Sequence, residues 1–285
     1  MVHEDNVLRA LTDDGAFRVI AADTTATVRG AIEAQRPEGA ELTRVFADLL
    51  TGAVLVRESM APEYRLQAIL QGNDRRARMV ADTHPDGATR GLLQIGGAKT
   101  MAFDQGVLQI ARTLHNGALH QGVVEVPQDN PTISGALMAY MQASEQVATV
   151  IAVGAYVAAG EVVAAGGYMV QLLPEVAEGP LMVMTERLRD FEDIVPLLAR
   201  GAASPAALLA ETLYGMPYTK VGDRPVSFGC NCSPERLMGS LASLPRADIQ
   251  SLLDGGRTLD IECDYCRKTY KFTVDQLKSL LAPAN

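Results

Sequence analysis

The sequence predicts an α+β protein whose last fifty-odd residues form a separate cysteine module. Three observations lead there. Short alternating apolar and polar runs punctuated by turn residues fill the region 61–126, as a meander of strands requires. Helical apolar spacing recurs on both sides of that meander. All four cysteines fall within 37 positions, and the first 229 residues contain none.

Taken in order, residues 5–11 read as a helix, and AFRVIAADTTATV (16–28) has the β-branched content of a strand pair. In 41–60, Leu42, Val45, Phe46, Leu49, Leu50 and Val54 recur at helical spacing. Strands are expected on either side of Gly72-Asn73-Asp74 and of Pro85-Asp86-Gly87, and again around Asn116-Gly117. The stretch 133–156 begins as a helix and ends apolar and strand-like, and GGYMVQLLP (166–174) supplies another strand. A sheet with covering helices is the economical architecture. Beyond residue 175 the pattern turns helical. Leu188, Phe191, Ile194, Val195 and Leu198 share a face interrupted by Pro196, and Ser204-Pro205 opens a further helix with a cap residue and a proline at its first position. No strand signal reappears before Val226. The expected organisation is an α+β core over 1–175, a helical linker of low stability over 176–229, and a zinc-binding module over 230–285.

Composition narrows the function. With 285 residues, 48% hydrophobic and 21% charged, the chain reads as globular, and no apolar run approaches the ~20 residues that span a bilayer. The start, MVHEDNVLRALTDDG, lacks a signal pattern, so the expected address is cytoplasmic and structural disulfides are not expected. A net charge of −9, no tryptophan and 5% aromatic residues argue against a nucleic-acid or acidic-membrane surface. No phosphate-binding G-x-x-x-x-G-K-[ST] loop is present.

The chemistry concentrates in Cys230-Asn231-Cys232, thirty intervening residues, and Cys263-Asp264-Tyr265-Cys266. Two tight turns brought together can supply the four ligands of a tetrahedral zinc ion, and no histidine lies beyond His120, so an all-cysteine Zn²⁺ site is expected. The second pair sits between TLDIE and KTYKF, which suit a hairpin; Ser233-Pro234-Glu235 and the capping box Thr273-Val274-Asp275-Gln276 each open a helix. So small a module would be marginal alone, and its folding should depend on the metal. At this level two readings stand side by side: a structural zinc ribbon, and a site whose thiolates react with oxidants and release the metal on forming disulfides.

Other candidates are weaker. A thioredoxin-like role for Cys263 and Cys266 would need a strand-to-helix setting, whereas the pair lies between two strands. His115 and His120 are five apart and do not share a helical face. Arg75-Arg76-Ala77-Arg78 reads as a solvated turn. Met182 and Met184 read first as core, with an adaptable binding surface as the alternative.

The segments Phe228-Gly229-Cys230-Asn231-Cys232-Ser233-Pro234-Glu235-Arg236, Ile261-Glu262-Cys263-Asp264-Tyr265-Cys266 and Tyr270-Lys271-Phe272 closely resemble the C-terminal signature of the thirty-three-kilodalton redox-regulated heat-shock chaperones. The likeness extends upstream through Gln121-Gly122-Val123-Val124, Ser144-Glu145-Gln146, Ala165-Gly166-Gly167 and Gln171-Leu172-Leu173-Pro174, so it covers essentially the whole chain. The turn at Gln71-Gly72-Asn73-Asp74 departs from the family by lacking a glycine-proline continuation. The resemblance implies a bacterial cytoplasmic holdase, not an enzyme, that works without ATP and is inactive while reduced and zinc-bound. Oxidation would form disulfides Cys230–Cys232 and Cys263–Cys266, release zinc, unfold the module and the linker, and free apolar surface for unfolding client proteins; the active form would tend to be a homodimer. The alternative is a protein- or nucleic-acid-binding module with a purely structural ribbon. Against a nucleic-acid partner, residues 230–285 balance seven basic side chains with seven acidic ones.

Overall fold

In the computed structural model, which describes residues 4–114, 116–174 and 176–281, the chain divides into two compact units, Met1–Gly229 and Cys230–Asn285. Among the described residues the first unit holds two sheets. β1 (Asn6–Thr12), β2 (Phe17–Asp23), β8 (Thr149–Ala158), β9 (Glu161–Leu172) and β10 (Tyr218–Pro225) form an antiparallel sheet in the order β10-β1-β2-β9-β8. β3 (Arg65–Gln71), β4 (Arg78–Thr83), β5 (Ala88–Gln94), β6 (Val107–Thr113), β7 (Leu119–Glu125) and β11 (Ser227–Phe228) form the other, ordered β11-β5-β4-β3-β6-β7, with only the short β11–β5 pair parallel.

The five-stranded sheet is buried on both faces. Its residues Val7, Ile20, Ala22, Ile151 and Met169 join a core with helix α2 (Ala40–Glu58) and with Leu66, Ala68 and Ile110 of the six-stranded sheet. Their alternates Leu8, Ala10, Val19, Ala21, Ala152, Tyr168 and Val170 meet Leu188, Ile194, Leu197, Leu198, Leu208 and Leu209 in a second core. Those partners come from α4 (Glu178–Asp190), α5 (Val195–Ala199) and α6 (Pro205–Thr212) or lie just beside them. Helix α2 bears on both sheets; Gly91 of β5 leaves room for the Phe46 ring, which would lie 2.4 Å from a Cβ there. Helices α1 (Thr25–Gln35) and α3 (Ile133–Tyr140) complete the unit, and α3 runs into a π-helical turn, Met141–Glu145.

The α+β class is what the sequence implied. Three local readings are corrected. The helix expected over 5–11 is instead β1 from Asn6 onward, because that strand lies inside the sheet and is buried on both faces, which erases the alternation of a one-sided strand. The stretch 16–28 is one strand and the start of a helix: Asp23 accepts hydrogen bonds from the Thr25 amide and hydroxyl and turns the chain into α1. A strand does precede Val226, since the polar β10 pairs with β1 at the sheet edge, where exposed polar side chains and a terminal proline are tolerated. The interruption expected around Pro196 is present: α4 ends at Asp190, and Pro196 lies in the first turn of the separate helix α5.

Candidate metal centre

Within Cys230–Asn285, the segment Cys230–Cys232 runs directly into α7 (Pro234–Ala242), whose start is fixed by the Ser233 hydroxyl accepting the Arg236 amide at 3.2 Å. After α8 (Arg246–Asp254), the hairpin of β12 (Leu259–Glu262) and β13 (Thr269–Phe272) pairs Glu262 with Thr269 and presents Cys263 and Cys266 in its turn. That turn closes through the Cys263 amide to the Lys268 carbonyl at 2.9 Å and the Arg267 amide to the Cys263 carbonyl at 2.8 Å, with Arg267 left-handed at φ 59°. The capping box of Thr273 and Gln276 then starts α9 (Val274–Ser279). Leu241, Tyr270, Phe272 and Leu277 make a small core under the sulfurs, with Cys263 itself buried.

The fold brings together the four cysteines that the spacing singled out. Their Sγ atoms all lie within 4.8 Å of one another, with Cys230–Cys263 at 3.7 Å and Cys232–Cys266 at 3.4 Å. Four sulfurs at ~2.3 Å from one tetrahedral ion stand about 3.8 Å apart, so the donor set and its size fit a zinc-like cation. Electrostatics point the same way. For Cys232, desolvation raises the thiol, but hydrogen bonds from Tyr270 and then from the other cysteines outweigh it and bring it down to about 7. Burial, together with the neighbouring sulfurs, pushes Cys266 up to about 12, and burial also raises Cys263. One thiolate forms readily and resists the next; a central cation removes that conflict.

Tyr270 is the residue that spacing alone assigned no role. Alternation along β13 turns it inward, its hydroxyl lies 3.1 Å from the Cys232 sulfur and 3.1 Å from the Cys232 carbonyl, and that contact with Cys232 raises the phenol's own pKa. The Lys268 ammonium sits 5.2 Å from the Tyr270 ring centroid, a cation–π contact on the same strand's approach.

Among the described residues, the candidates of the first unit form no comparable cluster of metal-ligating side chains. His120 is exposed on β7 opposite Arg112, and His115 lies outside the described residues. Arg75 and Arg76 lie in the turn that Asp74 closes by accepting the Arg76 and Ala77 amides. Met184 is buried in the second core, whereas Met182 is 71% exposed.

A family model described as Hsp33 protein matches residues 5–273. This chain belongs to the Hsp33 family. Among curated relatives named 33 kDa chaperonin, that of Syntrophotalea carbinolica is 29% identical over 98% of this chain and 100% of its own length. The one from Bacillus pumilus is 29% identical over 97% and 98%. The crystal structure of the 33 kDa chaperonin (heat shock protein 33 homolog) from Thermotoga maritima matches with a TM-score of 0.82 and covers 98% of both chains; at 22% identity it shows that the Hsp33 fold is shared. Among the described residues, no helix is long and apolar enough to cross a membrane.

Proposed function

We propose that this protein is a holdase chaperone of the cytoplasm, working by binding rather than catalysis, whose reduced form holds Zn²⁺ through Cys230, Cys232, Cys263 and Cys266 and is switched on by oxidation. The observation that carries the reading is the convergence of four thiols from two separate segments over a core of only a few buried side chains. When bound, the ion cross-links the Cys230–Cys232 segment to the hairpin turn and supplies folding energy that so small a core lacks.

The chain's own cysteines carry the switching chemistry. One thiolate attacks a peroxide oxygen, the O–O bond breaks, and hydroxide leaves as the sulfur becomes a sulfenic acid. A second thiolate then displaces hydroxide to close the S–S bond. Two electrons pass to each peroxide, two protons complete two waters, and two of the four metal donors are consumed. The pairs Cys230–Cys232 and Cys263–Cys266 suit release. A bond between the two segments would close a loop of some thirty residues and restrain the module, whereas a local bond leaves the chain free to open.

The linker reading, 176–229 beyond the 1–175 core, draws support from the second core. Helices α4 to α6 cover Leu8, Ala10, Val19, Ala21, Ala152, Tyr168 and Val170 of the five-stranded sheet. Loosening these helices uncovers a continuous apolar face for an unfolding client, or for a second copy in the active homodimer. Against a nucleic-acid role for the module, its basic cluster is already engaged: Arg267 pairs with Glu262 at 3.2 Å, Lys271 with Asp260 at 3.8 Å, and Lys268 lies over Tyr270.

The test pairs two states of the purified full chain. Reduced protein should hold one zinc per chain and leave aggregation of a heat-unfolded client unchanged, and peroxide at elevated temperature should release the zinc and confer suppression. Zinc release without suppression would overturn the chaperone switch in favour of a structural ribbon.

A further inference from the structure

Of the 13 residues of α4, Met184 and Leu188 alone are fully buried. Both enter the second core, where they meet Phe17, Val150 and Val170 of the five-stranded sheet. Beyond them, the Arg187 guanidinium donates to the Thr212 carbonyl of α6 at 3.3 Å, and Ala177 gives the helix no side-chain cap. The helix therefore has little apolar anchorage, and one of its two anchors is a thioether. A cleft of about 450 Å³ reaches that side chain. Phe17, Val150 and Val170 line it on the sheet side, Met184 and Leu188 on the helix side, and Thr185, Arg189 and Glu192 stand exposed at its rim. A small oxidant thus has a path to the flank of a residue that packing otherwise covers.

We propose that Met184 is a second oxidation site, and that its sulfoxide keeps α4 from returning to the sheet after the thiols have been reduced again. The oxidant class is hypochlorous acid. The thioether lone pair takes chlorine and hydroxide leaves; water then displaces chloride from the sulfur. In net, sulfur loses two electrons and gains one oxygen, and chloride and one proton are released. The proposal deepens the redox reading of this chain and rests on it: oxidation that empties the metal site loosens α4 and completes the access that the cleft begins.

The product does not fit the place the thioether held. A sulfoxide oxygen is a strong acceptor, and Phe17, Val150, Val170 and Leu188 offer no side-chain donor to meet it. Reductants that open disulfides leave a sulfoxide in place, since its return needs a dedicated reductase. The apolar face under α4 accordingly stays uncovered beyond the life of the disulfides. Met182, two positions earlier and 71% exposed, makes no such demand, and its oxidation leaves the packing as it was.

The experiment treats the full chain, reduced and zinc-loaded, with hypochlorite at elevated temperature and then returns it to dithiothreitol and zinc. Peptide mass locates the sulfoxide, and deuterium exchange of the α4 amides is followed on the same samples. The wild type should gain one oxygen at Met184 and exchange at least ~10-fold faster in α4 than before treatment. Met184→Leu conserves volume, so it should start within about twofold of the wild-type rate and return to it after treatment. Met182→Leu should behave as the wild type. Methionine sulfoxide reductase, added to the oxidised wild type, should restore α4 protection, a readout that needs no variant to fold. Met184 left unmodified when both cysteine pairs are oxidised, α4 protection regained with the sulfoxide still present, or Met184→Leu left as loose as the wild type would each overturn the proposal. No client enters these measurements. Lasting exchange in α4 without aggregation suppression would sink the chaperone reading and keep the latch; full recovery of α4 beside intact suppression would do the reverse.

Discussion

Phe272 is 1% exposed in the small core of the cysteine module, two residues beyond the Tyr270 that contacts Cys232. Phe272→Ala removes the ring and leaves a cavity, at a cost of ~3–5 kcal/mol. What that cost does depends on whether metal binding and folding are one event. If the metal-free module is unfolded, binding must fold it, and the full loss appears in the metal affinity. At about 1.4 kcal/mol per decade, ~3–5 kcal/mol weakens apparent zinc affinity by about two to three and a half decades. The assay is competition with a chromophoric chelator of graded affinity, alongside thermal unfolding of the first unit, which should not move. Affinity within threefold of wild type, with the core visibly disturbed in near-ultraviolet dichroism, would refute the coupling. The cysteines would then hold the ion without needing the fold around them.

Further outcomes follow from other contacts. Tyr270→Phe removes the hydroxyl beside the Cys232 sulfur and should lower metal affinity about 10–100-fold with little change in the hairpin, measured by the same competition. In the six-stranded sheet, burial raises Asp82, but hydrogen bonds from His84 and Arg65 and the charges of Arg65 and Arg90 outweigh it and hold the carboxyl well below its usual range. A depressed folded pKa gives stability that is present above pH ~4 and is lost as pH falls further. Asp82→Asn should abolish that acid sensitivity and cost about 3 kcal/mol, the low end for a broken buried pair because the Arg65 side chain is 37% exposed. Asp48 has the opposite sign. Its raised folded pKa means stability is full below pH ~4 and declines as pH rises to about 8, by at most ~1.4 kcal/mol per pH unit, so the advantage of Asp48→Asn in denaturant melts should grow over that window.

The legible part of the site was the part encoded locally. Cysteine spacing, the Ser233-Pro234 helix start, the two strands around Cys263 and Cys266, and the Thr273–Gln276 box each occupy a few adjacent residues, and each forms in the structure. Tyr270 was visible as an aromatic in a strand, but its contact with Cys232 depends on a pairing 38 residues apart in sequence. In the core, the one-sided strands of the six-stranded sheet kept their alternation, as in Arg65–Gln71. The central strand β1 did not, because a second layer of helices covers its other face, and that layer comes from residues almost two hundred positions later. The edge strand β10 was hidden for the converse reason: an exposed strand needs no apolar residues, and Tyr218–Pro225 has few.

The central claim, that the four-thiolate site governs chaperone activity, is tested most directly by one oxidant titration. Zinc release and suppression of client aggregation are recorded on the same samples of full-length protein as peroxide is added at elevated temperature. The expected result is a single midpoint for both curves, with activity absent before zinc leaves. Suppression that is complete while the zinc is still bound, or zinc lost in full with no gain in suppression, would contradict the claim.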